Sequence, residues 1–447
     1  MSYLHEDVEN LGAFLRLAVH FLHDRNNLKR AKIRDGKALV SMTFPFHDIV
    51  FAAGGVPVVP IRMHEFKTAL YLDALSNAGA FLGWDNTAKL LRFARQFRAG
   101  HNLVKNAIHE IVDCLFKKYN EMAVLAEETG FGADACYGIK GLFGMFQTKG
   151  QNLALNLNFD YRCSAYIKFC ETLNDMVPRS HYVELPTFLP GGSTEDNLQF
   201  MMREIEETIG VLEQVTGNSV TQDTLRDTAR LTNECRQYYK DILINIGKGD
   251  FWPCNPSTFS EILTLLNASF SDCCSNLPRY RDDLKALAAE MHRNIANGIG
   301  MDVAGYKKIV MQPIFGGYEP QVQDLVYDLG GRVYYGEWYA LGFLDDIALE
   351  GDMIRNYALY YLHTSDRTGC SNRQMQDSFL DLVRVLDADG VVYNQAFGCR
   401  DMTACFRYYR DRLTKEMGVP VALVTFTKMG EGLEQVKTRV QALMEML

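Results

Sequence analysis

Apolar positions recur at helical spacing near the start of the chain, through Leu11, Phe14, Leu15, Ala18, Val19 and Leu22, and predict a helical segment over 1–35. The pattern then shortens. KALVSMT (37–43) reads as a short buried strand. It leads through Phe44, Pro45, Phe46 and His47 into an apolar helix, IVFAAGG, and a second strand, VPVVPIR (56–62). Strand, helix, strand in so short a space predicts a parallel sheet with crossover helices. Residues 66–128 carry mostly helical patterns. The alternation resumes with a helix from Ala133 to Phe146, a strand NLALNLNF (152–159), a helix YIKFCETL and a strand SHYVELP (180–186).

From Thr194 to Ile299 strand candidates are missing and long amphipathic runs predict a helical connector. Strands return as YKKIVMQP (306–313), GRVYYGEW (331–338), DGVVYNQ (389–395) and PVALVTF (420–426), each separated by a helical stretch. The terminal run EGLEQVKTRVQALMEML reads as a closing helix. The predicted fold is α/β: two Rossmann- or flavodoxin-like lobes with parallel sheets, plus N-terminal helices and a helical connector. Boundaries fall at 1–35, 36–193, 194–299 and 300–447, with a cleft between the lobes.

Composition narrows the function. The chain has 447 residues, 47% hydrophobic and 23% charged, with net charge −9. No concentrated basic stripe is present, which argues against nucleic-acid or anionic-membrane binding. No basic n-region precedes an apolar stretch at the start, and no run approaches the ~20 residues of a membrane span. These features predict a cytoplasmic protein.

Eleven cysteines need a separate account. An odd count in a large chain without an export signal argues against a disulfide framework, and no CxxC pair is present. Cys114, Cys170 and Cys235 sit inside helical patterns and read as core. The adjacent Cys273 and Cys274 lie near a helix boundary, and Cys370 and Cys405 lie near helix starts in the second lobe. Cys136, Cys163 and Cys399 are different. Cys136 opens a helix, Cys163 follows a strand and begins the next helix, and Cys399 ends the loop after DGVVYNQ. A helix N-terminus favours thiolate, the form that binds iron. His47, just after the first strand, is a candidate catalytic residue beside the surface or capping role commoner for a lone loop histidine. GGYEP (316–320) could cradle a phosphate, but no GxGxxG or GxxxxGK[ST] pattern follows a strand.

The segment DGVVYNQAFGCRDMTACFRYYRDRLTKEMGVPVALVTF resembles the carboxyl-terminal signature of the 2-hydroxyacyl-CoA dehydratase and benzoyl-CoA reductase family. FAAGGVPVVP (51–60), ADACYGIKGLFGMF (133–146), NFDYRCSAYIKFCETL and the closing VKTRVQALMEML are similar to further parts of that family's pattern. The resemblance covers most of 37–447. It implies an oxygen-sensitive iron–sulfur subunit whose cluster ligands are Cys136, Cys163 and Cys399. The cofactor is a [4Fe–4S] cluster or, in single-chain relatives, a double-cubane [8Fe–9S] cluster. Many members carry the second cysteine nearer the positions of Asn158, Phe159 and Asp160, so Cys163 stands in for it here. The resemblance also implies a related second subunit, in a hetero- or homodimer, and a separate ATP-hydrolysing activator. In the dehydratases one electron reduces the thioester carbonyl of a 2-hydroxyacyl-CoA to a ketyl radical, and water is eliminated. Reductases and electron-relay subunits within the family remain alternatives.

Overall fold

A computed structural model describes residues 3–23, 25–42, 47–159, 163–186, 194–312, 320–335, 344–368, 373–428, 430 and 432–447. Two four-stranded sheets organise it. The first contains β1 (Leu39–Met42), β2 (Val56–Val58), β3 (Leu155–Phe159) and β4 (Ser180–Val183), in the order β2-β1-β3-β4, every pairing parallel. After a small ribbon of β5 (Phe251–Trp252) and β6 (Met301–Asp302), the second sheet holds β7 (Lys307–Gln312), β8 (Gly331–Tyr335), β9 (Gly390–Ala396) and β10 (Val421–Phe426). Its order is β10-β9-β7-β8, again parallel throughout. Read from its β8 edge, the second sheet repeats the topology of the first. Both lobes are thus doubly wound, with the chain reversing direction between β1 and β3 and between β7 and β9. Ligands collect at such switch points, outside the carboxyl ends of the strands.

Apolar residues dominate the central strands, with Asn156 and Asn158 of β3 buried and hydrogen-bonded to each other (2.8 Å). All residues of β1, β3 and β9 are buried, as expected where helices cover both faces of a parallel sheet. Two predicted strands are shorter than their apolar runs. VPVVPIR pairs only over Val56–Val58 before Pro60 opens a 3₁₀ turn, Pro60–Met63. NLALNLNF begins as a 3₁₀ turn, Gly150–Asn152, and pairs from Leu155.

The connector is built on the helices Thr194–Thr216, Gln222–Lys240, Pro256–Phe270 and Leu277–Ala296. Local chemistry sets their starts. Thr221 closes a capping box with Thr224, and Asn255 and Asn276 each accept a backbone N–H three residues on. The β5–β6 ribbon corrects the expectation of a strand-free connector, because two residues per strand leave no alternation to read. The N-terminal helix Gly12–Leu22 is stitched to the connector. Ala13 N donates to Glu290 (3.0 Å), and Arg16 pairs with Asp283 (2.7 Å). Among the described residues, no helix is long and apolar enough to cross a membrane.

Candidate functional site

Two of the three candidate cysteines meet where the lobes touch. Cys136 is the N-cap of the helix Tyr137–Lys149, which leads into β3, and Cys399 is the N-cap of the helix Arg400–Glu416, which follows β9. The helix at Cys136 starts four residues later than the apolar pattern predicted, because 133–136 form a turn with Ala135 N on Gly132 O (3.1 Å). That turn is what carries the second lobe. Gly398, at φ +84°, lies so close that a Cβ would stand 2.6 Å from Asp134 O and 3.0 Å from Cys136 N. Only glycine tolerates both the backbone conformation and the contact. Phe397 N donates to Phe426 O (2.7 Å), and the Phe426 ring meets Tyr137 edge-on at 6.2 Å.

The two thiols are within hydrogen-bonding reach, and each residue is only 8% exposed. The hydrogen bond from Cys399 pulls the Cys136 pKa down from 9.0 to about 7. Backbone N–H groups of Ile139 and Gly138 and the charge of Lys140 act in the same direction against burial. Lys140, one turn into the helix, is buried. It is held by Glu127 and by Ala133 O (3.2 Å), under the turn that bears Cys136. Neither Gly398 nor Lys140 was singled out from the sequence, although Gly-Cys in the loop and Lys at i+4 from a cysteine were both readable signals.

Cys163 occupies the position in the first lobe that Cys399 occupies in the second. Each is the N-cap of the helix following the third strand of its sheet, here Ser164–Thr172 after β3. Cys163 is half-buried. The structure does not bring it into one group with Cys136 and Cys399, and among the described residues no three of His, Cys, Asp and Glu converge in a metal-like set. Cys114, Cys170 and Cys235 are buried in helices as expected. Burial pushes Cys114 up to about 12 and Cys235 well above the ordinary thiol range. Cys273 and Cys274 are buried in a short 3₁₀ turn at positive φ, and Cys405 lies inside the helix Arg400–Glu416. Cys370 and the glycines of GGYEP fall outside the described residues.

His47 opens the helix Ile49 belongs to, His47–Ala52, and is fully buried, so the alternative of a surface residue is corrected. The connector closes over it, with Phe270 edge-on at 5.5 Å. Among the described residues neither ring nitrogen has a hydrogen-bond partner, and burial drives its pKa down to about 4. Beside it Asp48 pairs with Arg236 of the connector (3.1 Å), both side chains fully enclosed. The Arg236 guanidinium also donates to Thr232 (3.0 Å) and Asn233 (2.8 Å) and lies 4.8 Å from the ring of Tyr360 in the second lobe. First lobe, connector and second lobe are therefore tied at one buried charge.

The fold and site define a class: a two-lobed α/β protein whose repeated switch-point topology delivers helix-capping cysteines from both lobes to their junction. The family model of 2-hydroxyglutaryl-CoA dehydratase, D-component, matches residues 47–447, and the chain belongs to that family. No curated protein matches it.

Proposed function

We propose that this chain is the iron–sulfur subunit of a 2-hydroxyacyl-CoA dehydratase, with Cys136, Cys399 and Cys163 as cluster ligands. The observation that carries the reading is the Cys136–Cys399 thiol pair at the lobe junction. Two thiols already apposed, one of them easily ionised, fit two ligands of a cluster. The topological equivalence of Cys163 and Cys399 supplies the argument for the third. When bound, the group offers a low-potential electron and an open Lewis-acidic iron for a thioester carbonyl.

The chain's own residues do the positioning. Gly398 lets the Cys399 loop lie on the Cys136 turn, and Lys140 stabilises anionic sulfur from below. Tyr137, directly after Cys136, is buried and packs edge-on against Phe426 of the second lobe. His47 receives no step, because a pKa near 4 and complete burial make it a poor base at neutral pH.

A second subunit is supported by the helices Ala69–Leu82 and Trp84–Arg95. The first has Asp73 as its only charged residue, yet just Leu72 and Gly79 are buried. A helix as poor in charge as Ala69–Leu82 is normally covered. Leu70, Phe81, Phe93 and Phe97 stand 56–89% exposed, a surface suited to a partner. The reading assigns ATP hydrolysis to a separate activator. Iron and sulfide analysis of anaerobically purified protein tests it: about four irons per chain are expected for a single cubane. About eight would favour the double-cubane reductase alternative, and none would remove the iron–sulfur reading.

A further inference from the structure

The thiol pair joins segments of different lobes. Cys136 and Cys399 share a hydrogen bond, thiol to thiol. A Cβ on Gly398, the residue before Cys399, would stand 3.0 Å from Cys136 N and 2.6 Å from Asp134 O. A disulfide asks for Cα atoms about 4.4–6.8 Å apart, so only segments whose backbones nearly touch can form one. These two do.

The pair lies at the rim of the junction. Each cysteine is 8% exposed, but Gly132, Ala133 and Asp134 before the first, and Phe397 before the second, stand in solvent. A small reagent thus starts within a few residues of either sulfur. Cys235, Cys254, Cys273 and Cys274 are fully enclosed and offer it nothing. Cys163 is more exposed than the pair and is the natural competitor for the reagent.

We propose that Cys136 and Cys399 are a redox-modification site, closing to an interlobe disulfide by exchange with a low-molecular-weight disulfide when no cluster engages them. One cysteine, as thiolate, attacks a sulfur of the reagent, which becomes a mixed disulfide on the protein and releases its other half as thiolate. The second cysteine thiolate then attacks the protein sulfur of that mixed disulfide and displaces the remaining half. The two protein thiols lose two electrons and two protons, and the reagent gains both as two thiols. The new bond closes more than half of the chain into a loop and fastens the first lobe to the second. It also occupies both sulfurs that the proposed cluster needs, so oxidation and cluster loading exclude each other, and a reducing thiol restores the site. The disulfide rests on the thiol geometry; the iron reading above enters only through that exclusion.

The test treats the whole chain, stripped of iron by a chelator under nitrogen, with oxidised glutathione, followed by alkylation and peptide mass mapping. Most molecules should carry a Cys136–Cys399 cross-link, run faster on a non-reducing denaturing gel, and revert with dithiothreitol. Cys399→Ser lacks the resolving thiol and should hold glutathione on Cys136 at roughly ten-fold or more the level in the unaltered chain. The unaltered chain carries the test by itself if that variant does not fold. Glutathione that persists on Cys136 there, a cross-link to Cys163 instead, or no cross-link between Cys136 and Cys399 overturns the proposal. Iron uptake by the same samples separates it from the cluster reading. A cross-linked chain that still takes up its full iron would remove the pair as cluster ligands and leave the disulfide standing. Iron bound by a chain that never cross-links would leave the ligands standing and remove the disulfide.

Discussion

Gly398 and Cys136 meet backbone against backbone across the lobe junction, a Cβ at 398 falling 3.0 Å from Cys136 N. Gly398→Ala therefore meets two obstacles, a φ of +84° and an interlobe clash with Asp134 O at 2.6 Å. The cost should be about 1–3 kcal/mol. The larger effect should be on the site, because relief of the clash parts Cys399 from Cys136. Gly83→Ala is the control: its φ is +80° but nothing lies within 4 Å of the added carbon. Denaturant midpoints and anaerobic iron content of the two variants should diverge, with iron lost in Gly398→Ala and kept in Gly83→Ala. Equal iron in both would mean that the contact does not set the thiol geometry.

His47 makes stability pH-dependent. Burial lowers its pKa from 6.5 to about 4, with Arg236 adding to the shift and Asp48 opposing it. Between those values the unfolded chain takes up a proton that the fold refuses, so stability falls as pH drops from 6.5 toward 4 and is unaffected above. The full difference is about 3 kcal/mol. His47→Phe removes the proton and leaves no orphaned ring nitrogens. Urea unfolding at pH 8 and pH 5 should show the gap between the two conditions shrinking by about 2 kcal/mol in the variant. His64, lowered to about 4 mainly by burial, should keep a slope of the same sign.

Much of this fold was legible because central parallel strands are rich in apolar residues, as in the buried β1 and β9. Helix-capping placement also marked Cys136, Cys163 and Cys399 correctly as local positions. What the pattern could not carry was contact between distant segments. Cys136 and Cys399 come together only through packing of the lobes, and nothing local distinguishes them from Cys163 in that respect. Arg236 falls in an amphipathic run of the connector, where nothing local marks it, yet it is fully buried among Asp48, Thr232, Asn233 and Tyr360. His47 read as a loop residue because its cover, Phe270, lies in another segment of the chain.

The Arg236 tie should be costly to break from one side. Truncation leaves Asp48 as an enclosed carboxylate without its cation, a loss of about 3–5 kcal/mol. Arg236→Met combined with Asp48→Asn removes both charges and should recover much of that loss. A double-mutant cycle by chemical denaturation measures the coupling. Additive single effects would show that the ion pair contributes little to holding the lobes. Asn233 belongs to the same tie: it accepts from Arg236 (2.8 Å) and brackets Ile347 by donating to its carbonyl (2.8 Å) and accepting its N–H (2.9 Å). Asn233→Ala should destabilise by about 1–3 kcal/mol.

The cysteines separate by what surrounds each sulfur. Cys136→Ser and Cys399→Ser each remove one member of the apposed pair and should abolish most of the brown chromophore in protein purified without oxygen. Cys235→Ser and Cys114→Ser should leave it intact, because burial holds those thiols protonated, Cys114 up to about 12. A buried hydroxyl in place of sulfur costs stability there, so their thermal midpoints should fall while iron per folded chain stays constant. Cys163→Ser is the discriminating variant. Its cap position matches that of Cys399 in the other lobe, which predicts loss of iron comparable to the pair. Among the described residues it shares no metal-like group with them, so its iron content is the open measurement. Full iron in Cys163→Ser would assign the third ligand elsewhere. Iron should then fall instead in a variant of another cysteine, with Cys370→Ser the first to measure.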